Sequence, residues 1–153
     1  MINLTSSLED YLEAIWMTSL KKKVVRVKDI VEHLGVKAAS VVEAMSNLRE
    51  KGFYIQEKYG YIELTPNGNK IAKNIYKKHK ILSRFLKEVL DVEKETAADD
   101  ACRIEHHVSK KTLNKIIKFI KFIDGCPEGE PICLSKFRSF VKNGVRPEPC
   151  KKK

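Results

Sequence analysis

The chain has 153 residues, of which 42% are hydrophobic and 33% charged, a length that suits one average domain or two small ones. These proportions exclude a disordered chain, and the length excludes a large multidomain enzyme. No run approaches the 18 consecutive apolar residues of a membrane span, and the first residues lack the basic-then-apolar order of a secretory signal, so we expect a soluble cytoplasmic protein.

The net charge of +10 lies entirely in the second part of the chain. Residues 1–65 carry nine basic and nine acidic side chains, whereas residues 66–153 carry twenty-one and eleven. Such an excess suggests a polyanionic partner, either nucleic acid or an anionic membrane, but a solvated lysine-rich surface explains it equally well. Charge alone therefore does not locate a nucleic-acid surface.

Apolar residues at spacings of three and four predict three short helices at the start of the chain. The first covers about residues 7–20, the second residues 27–34 and the third residues 39–51. Gly35 follows the second helix and can adopt the left-handed backbone conformation that ends a helix. Two short helices joined by such a turn are typical of a helix-turn-helix.

β-prone runs at residues 53–55 and 61–64 predict a small hairpin after the third helix, so residues 1–65 are predicted to form a winged helix-turn-helix. Its third helix has the size of a recognition helix that enters a DNA major groove. The candidate DNA contacts are Lys37, Ala38, Ala39, Ser40, Glu43, Ser46, Asn47 and Arg49. Winged helices also serve as protein-interaction modules, so a metal-independent adaptor that docks an acidic partner remains the alternative.

A second domain, residues 66–125, is predicted to be all helical. The pair Thr65-Pro66 combines an N-cap hydroxyl with a proline suited to the first helical position, and it opens a long helix over residues 66–90. Another helix is predicted over residues 92–108. Ser109 caps a last helix, which completes the domain.

Apolar stripes on these later helices are too extensive for so small a domain to cover alone. They predict a homodimer even without bound metal. The candidate interface residues are Phe85, Val89, Leu113, Ile117 and Ile120.

The C-terminal tail, residues 126–153, holds four of the five prolines and is expected to be mostly irregular, with one short amphipathic stretch at residues 134–141. Cys126, Cys133 and Cys150 lie in this tail. The cysteines are too sparse for a disulfide framework, so these three are either plain thiols or ligands of a small zinc site.

Cys102, Glu105 and His106 are the most specific chemical signal in the sequence. Their spacing places a thiolate, a carboxylate and an imidazole on one face of a helix, a donor set for a divalent transition metal. Asp10 and Glu13 project from one face of the first helix, where Asp10 either donates to a metal or merely complements the helix dipole. A metalloenzyme that activates water is a further use for such residues, but no common catalytic motif accompanies them.

Four segments, taken in this order, resemble the diphtheria toxin repressor family of iron- and manganese-dependent transcriptional repressors. They are LEDYLEAIW at residues 8–16, RVKDIV at 26–31, LTPNG at 64–68 and CRIEHHVS at 102–109. The resemblance covers about residues 5–125. It implies a homodimer that binds a palindromic DNA operator when it is loaded with metal, with the metal between the winged helix and the helical dimerisation domain of each subunit.

The resemblance also implies the metal ligands, which are Asp10, Glu13, His79, Cys102, Glu105 and His106. Cys102 is the residue of the iron branch, whereas Asp10 and Glu13 follow the manganese branch. The implied metal is therefore Fe(II) or Mn(II), and the same donors would also accept Co(II), Ni(II) or Zn(II). On its own, His79 lies among lysines and would be read as a plain surface histidine.

Overall fold

The computed structural model describes residues 4–57, 60–127, 129 and 131–148. It is mainly helical with one small antiparallel sheet, as the sequence predicts. The elements, in chain order, are α1 (Ser6–Ser19), α2 (Val27–Leu34), α3 (Ala38–Glu50), β1 (Tyr54–Gln56), β2 (Ile62–Leu64), α4 (Pro66–Glu88), α5 (Lys94–Glu105), α6 (Lys110–Asp124) and α7 (Ile132–Asn143). The chain divides into two compact units, one ending at Lys77 and the other beginning at Lys78. None of the helices described is long and apolar enough to cross a bilayer.

The first unit contains the predicted winged helix, and we call it the reading unit. Helices α1, α2 and α3 pack against one another through their apolar stripes. Residues from each helix and from the segment just before β1 are completely or almost completely buried in one core: Leu12, Ile15, Ile30, Leu48 and Phe53. Gly35 has φ +64° at the end of α2, which confirms the predicted helix-turn-helix turn.

The wing is a hairpin of β1 and β2, with Tyr54 opposite Leu64. A single bridge from Val25 to Ile62 adds a third short segment, just before α2. The hairpin was predicted, but β1 begins one residue later than expected, and Phe53, just before it, is completely buried in the core.

The exit from the wing is held by Thr65 and Gly68. The Thr65 hydroxyl accepts from the N–H of Gly68 at 3.1 Å and donates to the carbonyl of Gly52 at 2.9 Å. A Cβ at position 68 would lie 1.9 Å from the Phe53 carbonyl oxygen. Only glycine lets the first turn of α4 lie so close to the backbone at Phe53, just before β1, which explains the glycine of the LTPNG segment physically.

In the second unit, Ser109 caps α6 as predicted, by accepting from the N–H of Thr112 at 3.1 Å. Helix α5 is shorter than the sequence predicts. It starts at Lys94 and ends at Glu105, after which the N–H of Val108 bonds to the carbonyl of Ile104 and closes a turn. Arg84 donates to Asp124 at 3.0 Å, which ties α4 to α6.

The tail is less irregular than predicted: the amphipathic stretch expected at residues 134–141 belongs to helix α7, which extends two residues further at each end, over Ile132–Asn143. Its prolines flank this helix and do not interrupt it: Pro131 is the N-cap, and Gly144 at φ +67° ends the helix. Arg138 on α7 donates to the backbone carbonyl of Glu88, so the helix docks on the end of α4. Cys126 and Cys133 are free thiols, and Cys150 lies outside the described residues.

Candidate metal centre and DNA-reading face

Helix α3 separates its side chains into a buried and an exposed face. Val41, Met45 and Leu48 are buried in the core of the reading unit. The eight predicted DNA contacts are all exposed: Lys37, Ala38, Ala39, Ser40, Glu43, Ser46, Asn47 and Arg49. A helix with one buried and one free polar face can enter a groove without unfolding its own domain. That these residues contact DNA stays a prediction.

Lys22 and Asp29 fix the start of α2 in the same unit. Asp29 is buried, its carboxylate accepts from the backbone N–H of Arg26 at 2.8 Å, and Lys22 Nζ lies 2.5 Å from its other oxygen. The hydrogen bond from Lys22 holds the pKa of Asp29 below its ordinary value, with the Arg26 N–H and nearby lysine charge acting in the same direction against burial. The acid is therefore ionised at neutral pH.

The candidate metal ligands of the second unit gather around the end of α5. Ala97, Ala101 and Glu105 are spaced by four, and all three are completely buried. Two small apolar residues are thus followed on the same helix face by a carboxylate. Cys102 lies one turn before Glu105 and is half-buried, and His106 is the C-cap residue, still with helical dihedral angles. The predicted spacing therefore holds although the helix is short.

The carboxylate of Glu105 lies close to two imidazoles. His79 Nδ1, from α4, lies 3.0 Å from Glu105 Oε2, within hydrogen-bond distance. His106 Nε2 lies 3.5 Å from Glu105 Oε1. The side chain of Glu105 is completely buried, that of His106 is 5% exposed and that of His79 is 23% exposed. His79 is thus part of a buried polar cluster and not a plain surface histidine.

This cluster fits a divalent transition metal. Glu105 Oε1 is buried and accepts no hydrogen bond from any residue that the structure describes. A buried carboxylate oxygen left without such a bond is costly, and a cation on it would remove that cost. Carboxylate oxygen, imidazole nitrogen and the Cys102 sulfur are suitable donors for iron, manganese and the later divalent ions.

Asp10 and Glu13 lie on α1 in the reading unit, and both are half-buried. The acidic residue in the first turn of α1 is Glu9, so Asp10 stands outside the turn where a carboxylate best complements the helix dipole. Thr5 supplies the cap by accepting from the N–H of Leu8. Asp10 is therefore not needed for capping, which favours a different use for its carboxylate.

The predicted dimer residues differ in how much surface they leave exposed. Val89 and Ile120 are buried within the second unit, and Phe85 packs edge-on against Phe119 with ring centroids 6.2 Å apart. Leu113 and Ile117 are half-buried. The dimer interface at these residues stays a prediction.

One contact of the reading unit escaped the sequence analysis. Arg26, at the start of α2, lies against Tyr61 of the wing. The two residues are 35 positions apart, and neither the RVKDIV segment nor the β-prone run at residues 61–64 carries a signal that pairs them.

Comparison with known families accounts for most of the chain. Residues 3–62 match the family described as "Iron dependent repressor, N-terminal DNA binding domain". Residues 65–134 match "Iron dependent repressor, metal binding and dimerisation domain". Together the two matches span the described residues from α1 to the first turn of α7.

Similar proteins of comparable length are bacterial regulators. The HTH-type transcriptional regulator MntR of Bacillus pumilus is 37% identical over 124 residues, which cover 81% of this chain and 85% of that protein. The protein of the same name in Bacillus subtilis is 35% identical over 120 residues, covering 78% and 84%. These likenesses support the predicted metal-dependent regulator and not the adaptor.

Two solved structures of similar fold belong to longer proteins. IdeR of T. acidophilum superimposes with a TM-score of 0.69 at 28% identity, over 86% of this chain and 61% of that one. The manganese regulator SloR gives a TM-score of 0.70 at 28% identity, over 81% and 58%. The chain thus spans about three fifths of these two structures.

Proposed function

Because this chain belongs to the diphtheria toxin repressor family, we propose that it is a metal-dependent transcriptional repressor. It binds palindromic operator DNA as a homodimer when it holds Mn(II) or Fe(II), and it controls metal homeostasis. The observation that carries this proposal is the buried carboxylate of Glu105, which lies between two imidazoles and keeps one oxygen without a hydrogen bond, in a chain that also displays the polar face of α3. A protein that reads chromosomal DNA works in the cytoplasm.

Four residues of the second unit hold the metal: His79, Cys102, Glu105 and His106. We propose that Asp10 and Glu13 donate to it as well, as the family resemblance implies. A bound divalent cation supplies positive charge that offsets these carboxylates. Without that charge the acidic side chains repel one another, and Glu9 on α1 adds to the repulsion.

The ligands on α1 connect metal binding to DNA binding. Helix α1 packs against both α2 and α3, so restraining α1 restrains the recognition helix. A shift from mostly loose to mostly fixed reading units needs about 5.5 kcal/mol of differential affinity. Structural metal sites in proteins have binding free energies of about 10 kcal/mol or more, so the coupling is energetically feasible.

The exposed face of α3 reads the operator. The methyl groups of Ala38 and Ala39 suit the methyl group of thymine, and the hydroxyl of Ser40 can bond to a base edge. Arg49 holds a phosphate, which positions the helix without specifying sequence. Two such helices in a dimer explain why a palindromic operator is expected.

Dimerisation gives the operator its symmetry and does not depend on the metal. Analytical ultracentrifugation at micromolar concentration in chelator should show a species about twice the 17.6 kDa of one chain. A single species at 17.6 kDa would contradict this part of the proposal.

Selection of binding sites from random DNA tests the function as a whole. The selection is run with Mn(II), Fe(II), Co(II), Zn(II) or chelator, and the affinity for the selected site is then measured in each condition. We expect a palindromic sequence that is bound weakly in chelator and tightly with Mn(II) or Fe(II). Equal affinity for the selected site in every condition would contradict the proposal.

A further inference from the structure

Arg26 and Tyr61 form a defined contact between the start of α2 and the wing. The guanidinium carbon of Arg26 lies 5.1 Å from the centre of the Tyr61 ring, and Nη2 donates to the Tyr61 hydroxyl at 3.3 Å. A guanidinium stacked on an aromatic ring keeps its charge while losing much of its rotational freedom.

The backbone on both sides of this contact is fixed as well. The N–H of Arg26 donates to Asp29 at 2.8 Å, which holds the residue at the N-cap of α2. The carbonyl of the preceding Val25 accepts from the N–H of Ile62 at 2.9 Å, next to Tyr61. Arg26 is therefore held by α2 and by the wing together.

The charge of Arg26 is not used inside the protein. The residue is exposed, and no carboxylate among the described residues forms an ion pair with it. Other cations of the chain differ in this respect, since Lys22 pairs with Asp29 and Arg84 pairs with Asp124. An exposed arginine that is rigid but not ion-paired is suited to an anion from outside the protein.

DNA phosphate is the anion that this position favours. In a helix-turn-helix the first helix crosses the DNA backbone while the second lies in the groove, and Arg26 begins the first of these two helices. The planar donors of arginine match the oxygens of a phosphate. Residues 1–65, which hold α1, α2, α3 and the wing, have no net charge, so their attraction to DNA must come from individual basic side chains placed against the backbone.

We infer that Arg26 binds a phosphate of the operator backbone and that Tyr61 is the positioning residue that holds the guanidinium toward it. This inference rests on the proposed function, because it requires that the reading unit binds DNA. It adds a contact outside α3, at the junction of α2 and the wing.

The central experiment compares the wild-type chain with Arg26→Ala in saturating Mn(II), measuring operator affinity at several salt concentrations. Loss of one phosphate contact per subunit should weaken a dimer about a hundredfold, taking about tenfold for each contact. The slope of log affinity against log salt should fall by about 1.8, because each lost contact changes it by about 0.9. Discrimination between the operator and an unrelated sequence should stay the same.

Tyr61→Leu tests the positioning role separately. It should weaken operator binding by less than Arg26→Ala does, and it should have no further effect when Arg26 is already alanine. Arg26→Lys keeps the charge without the planar donors, so it should restore most of the salt slope but only part of the affinity. Lys142→Ala, at an exposed position on α7, is the control of equal charge change and should leave the slope unchanged.

Three outcomes would overturn the inference. One is an Arg26→Ala protein with wild-type affinity and slope. Another is weaker binding with an unchanged slope and a lower free energy of unfolding, which would mean that the contact only stabilises the wing. The third is a wild-type chain that binds no operator in any metal, which would contradict the proposed function together with the inference. If the wild type does bind the operator, the proposed function stands and the Arg26 variants test the inference alone.

Discussion

The reading unit and the second unit present their functional side chains in opposite ways. All eight candidate DNA contacts, seven on α3 and one at its N-cap residue Lys37, are exposed, and the opposite face of the helix contributes to the core. On α5 the most important candidate ligand, Glu105, is completely buried on the same face as two alanines. At α3 the candidate DNA contacts are different residues from those that stabilise the core. On α5 the candidate ligand Glu105 is itself part of the buried interior.

Net charge also differs between the two parts of the chain, but the positive excess does not lie in the part that contains the DNA-reading helix. Residues 1–65 have no net charge although they contain the DNA-reading helix, while the excess of ten positive charges lies in residues 66–153, which contain the candidate metal ligands His79, Cys102, Glu105 and His106. A buried carboxylate is tolerated in the second part because neighbouring groups or a metal balance it locally. Net charge therefore locates neither the DNA-reading face nor the candidate metal site. Both depend on where individual charged side chains lie.

Gly68→Ala should have the largest effect, and it tests whether stability in the reading unit depends on close packing away from the exposed face. The new Cβ would lie 1.9 Å from the Phe53 carbonyl oxygen, so the backbone at Phe53 or the start of α4 must move. We expect the free energy of unfolding to fall by about 3 kcal/mol or more. Urea denaturation measures this, with Gly125→Ala as control because its nearest neighbour would be 3.4 Å away. Equal stability of both variants would contradict the packing argument.

The next prediction separates the ligands of the two units. His106→Ala should abolish both metal binding and the response of DNA binding to metal, a coupling of about 5–150-fold in affinity. Asp10→Ala should uncouple DNA binding from the metal while leaving some metal affinity. Neither change should unfold the protein, since each relieves a crowded polar site. Metal titration paired with operator binding measures both, and an Asp10→Ala chain that responds fully to metal would show that α1 donates no ligand.

Cys102→Glu should change which metal the buried cluster prefers. A hard carboxylate in place of a soft thiolate favours Mn(II) over later ions such as Co(II), by about tenfold in relative affinity. Competition between the two ions, followed by the thiolate-to-Co(II) absorption band of the wild type, gives the measurement. Cys133→Ser, at an exposed position on α7, is the control. An unchanged preference would mean that Cys102 is not a ligand.

The smallest expected effect concerns Asp29, whose buried carboxylate pairs with the exposed Lys22. Its pKa is lower when folded than when unfolded, so its stabilising contribution is complete above the ordinary value near 3.8 and is lost as pH falls through the folded value. Asp29→Asn should cost about 1 kcal/mol at neutral pH through the weakened cap. The difference from wild type in thermal denaturation should shrink below about pH 4. A difference that stays the same between pH 7 and pH 3 would contradict this prediction.

Much of the fold was predictable because local periodicity suffices for it. The boundaries of α1, α2 and α3 came from apolar spacing alone to within one residue, and the turn at Gly35 followed from its place between two helices. Helix α7 was underestimated because prolines were taken to disrupt the tail, whereas Pro131 starts a helix. The number of prolines does not show whether they begin a helix or interrupt one. The position of each proline relative to the helix does.

By itself the sequence determined the reading helix, the spacing of Cys102, Glu105 and His106 on one helix face, and the family resemblance that added Asp10, Glu13 and His79. Only the tertiary structure decided that Glu105 is buried with an oxygen that accepts no hydrogen bond, that His79 lies 3.0 Å from it across 26 residues, and that Arg26 rests on Tyr61. The physical reason is that helix formation depends on neighbours three and four residues away. The burial of a charge or the stacking of a cation depends instead on segments that meet only after the core has packed.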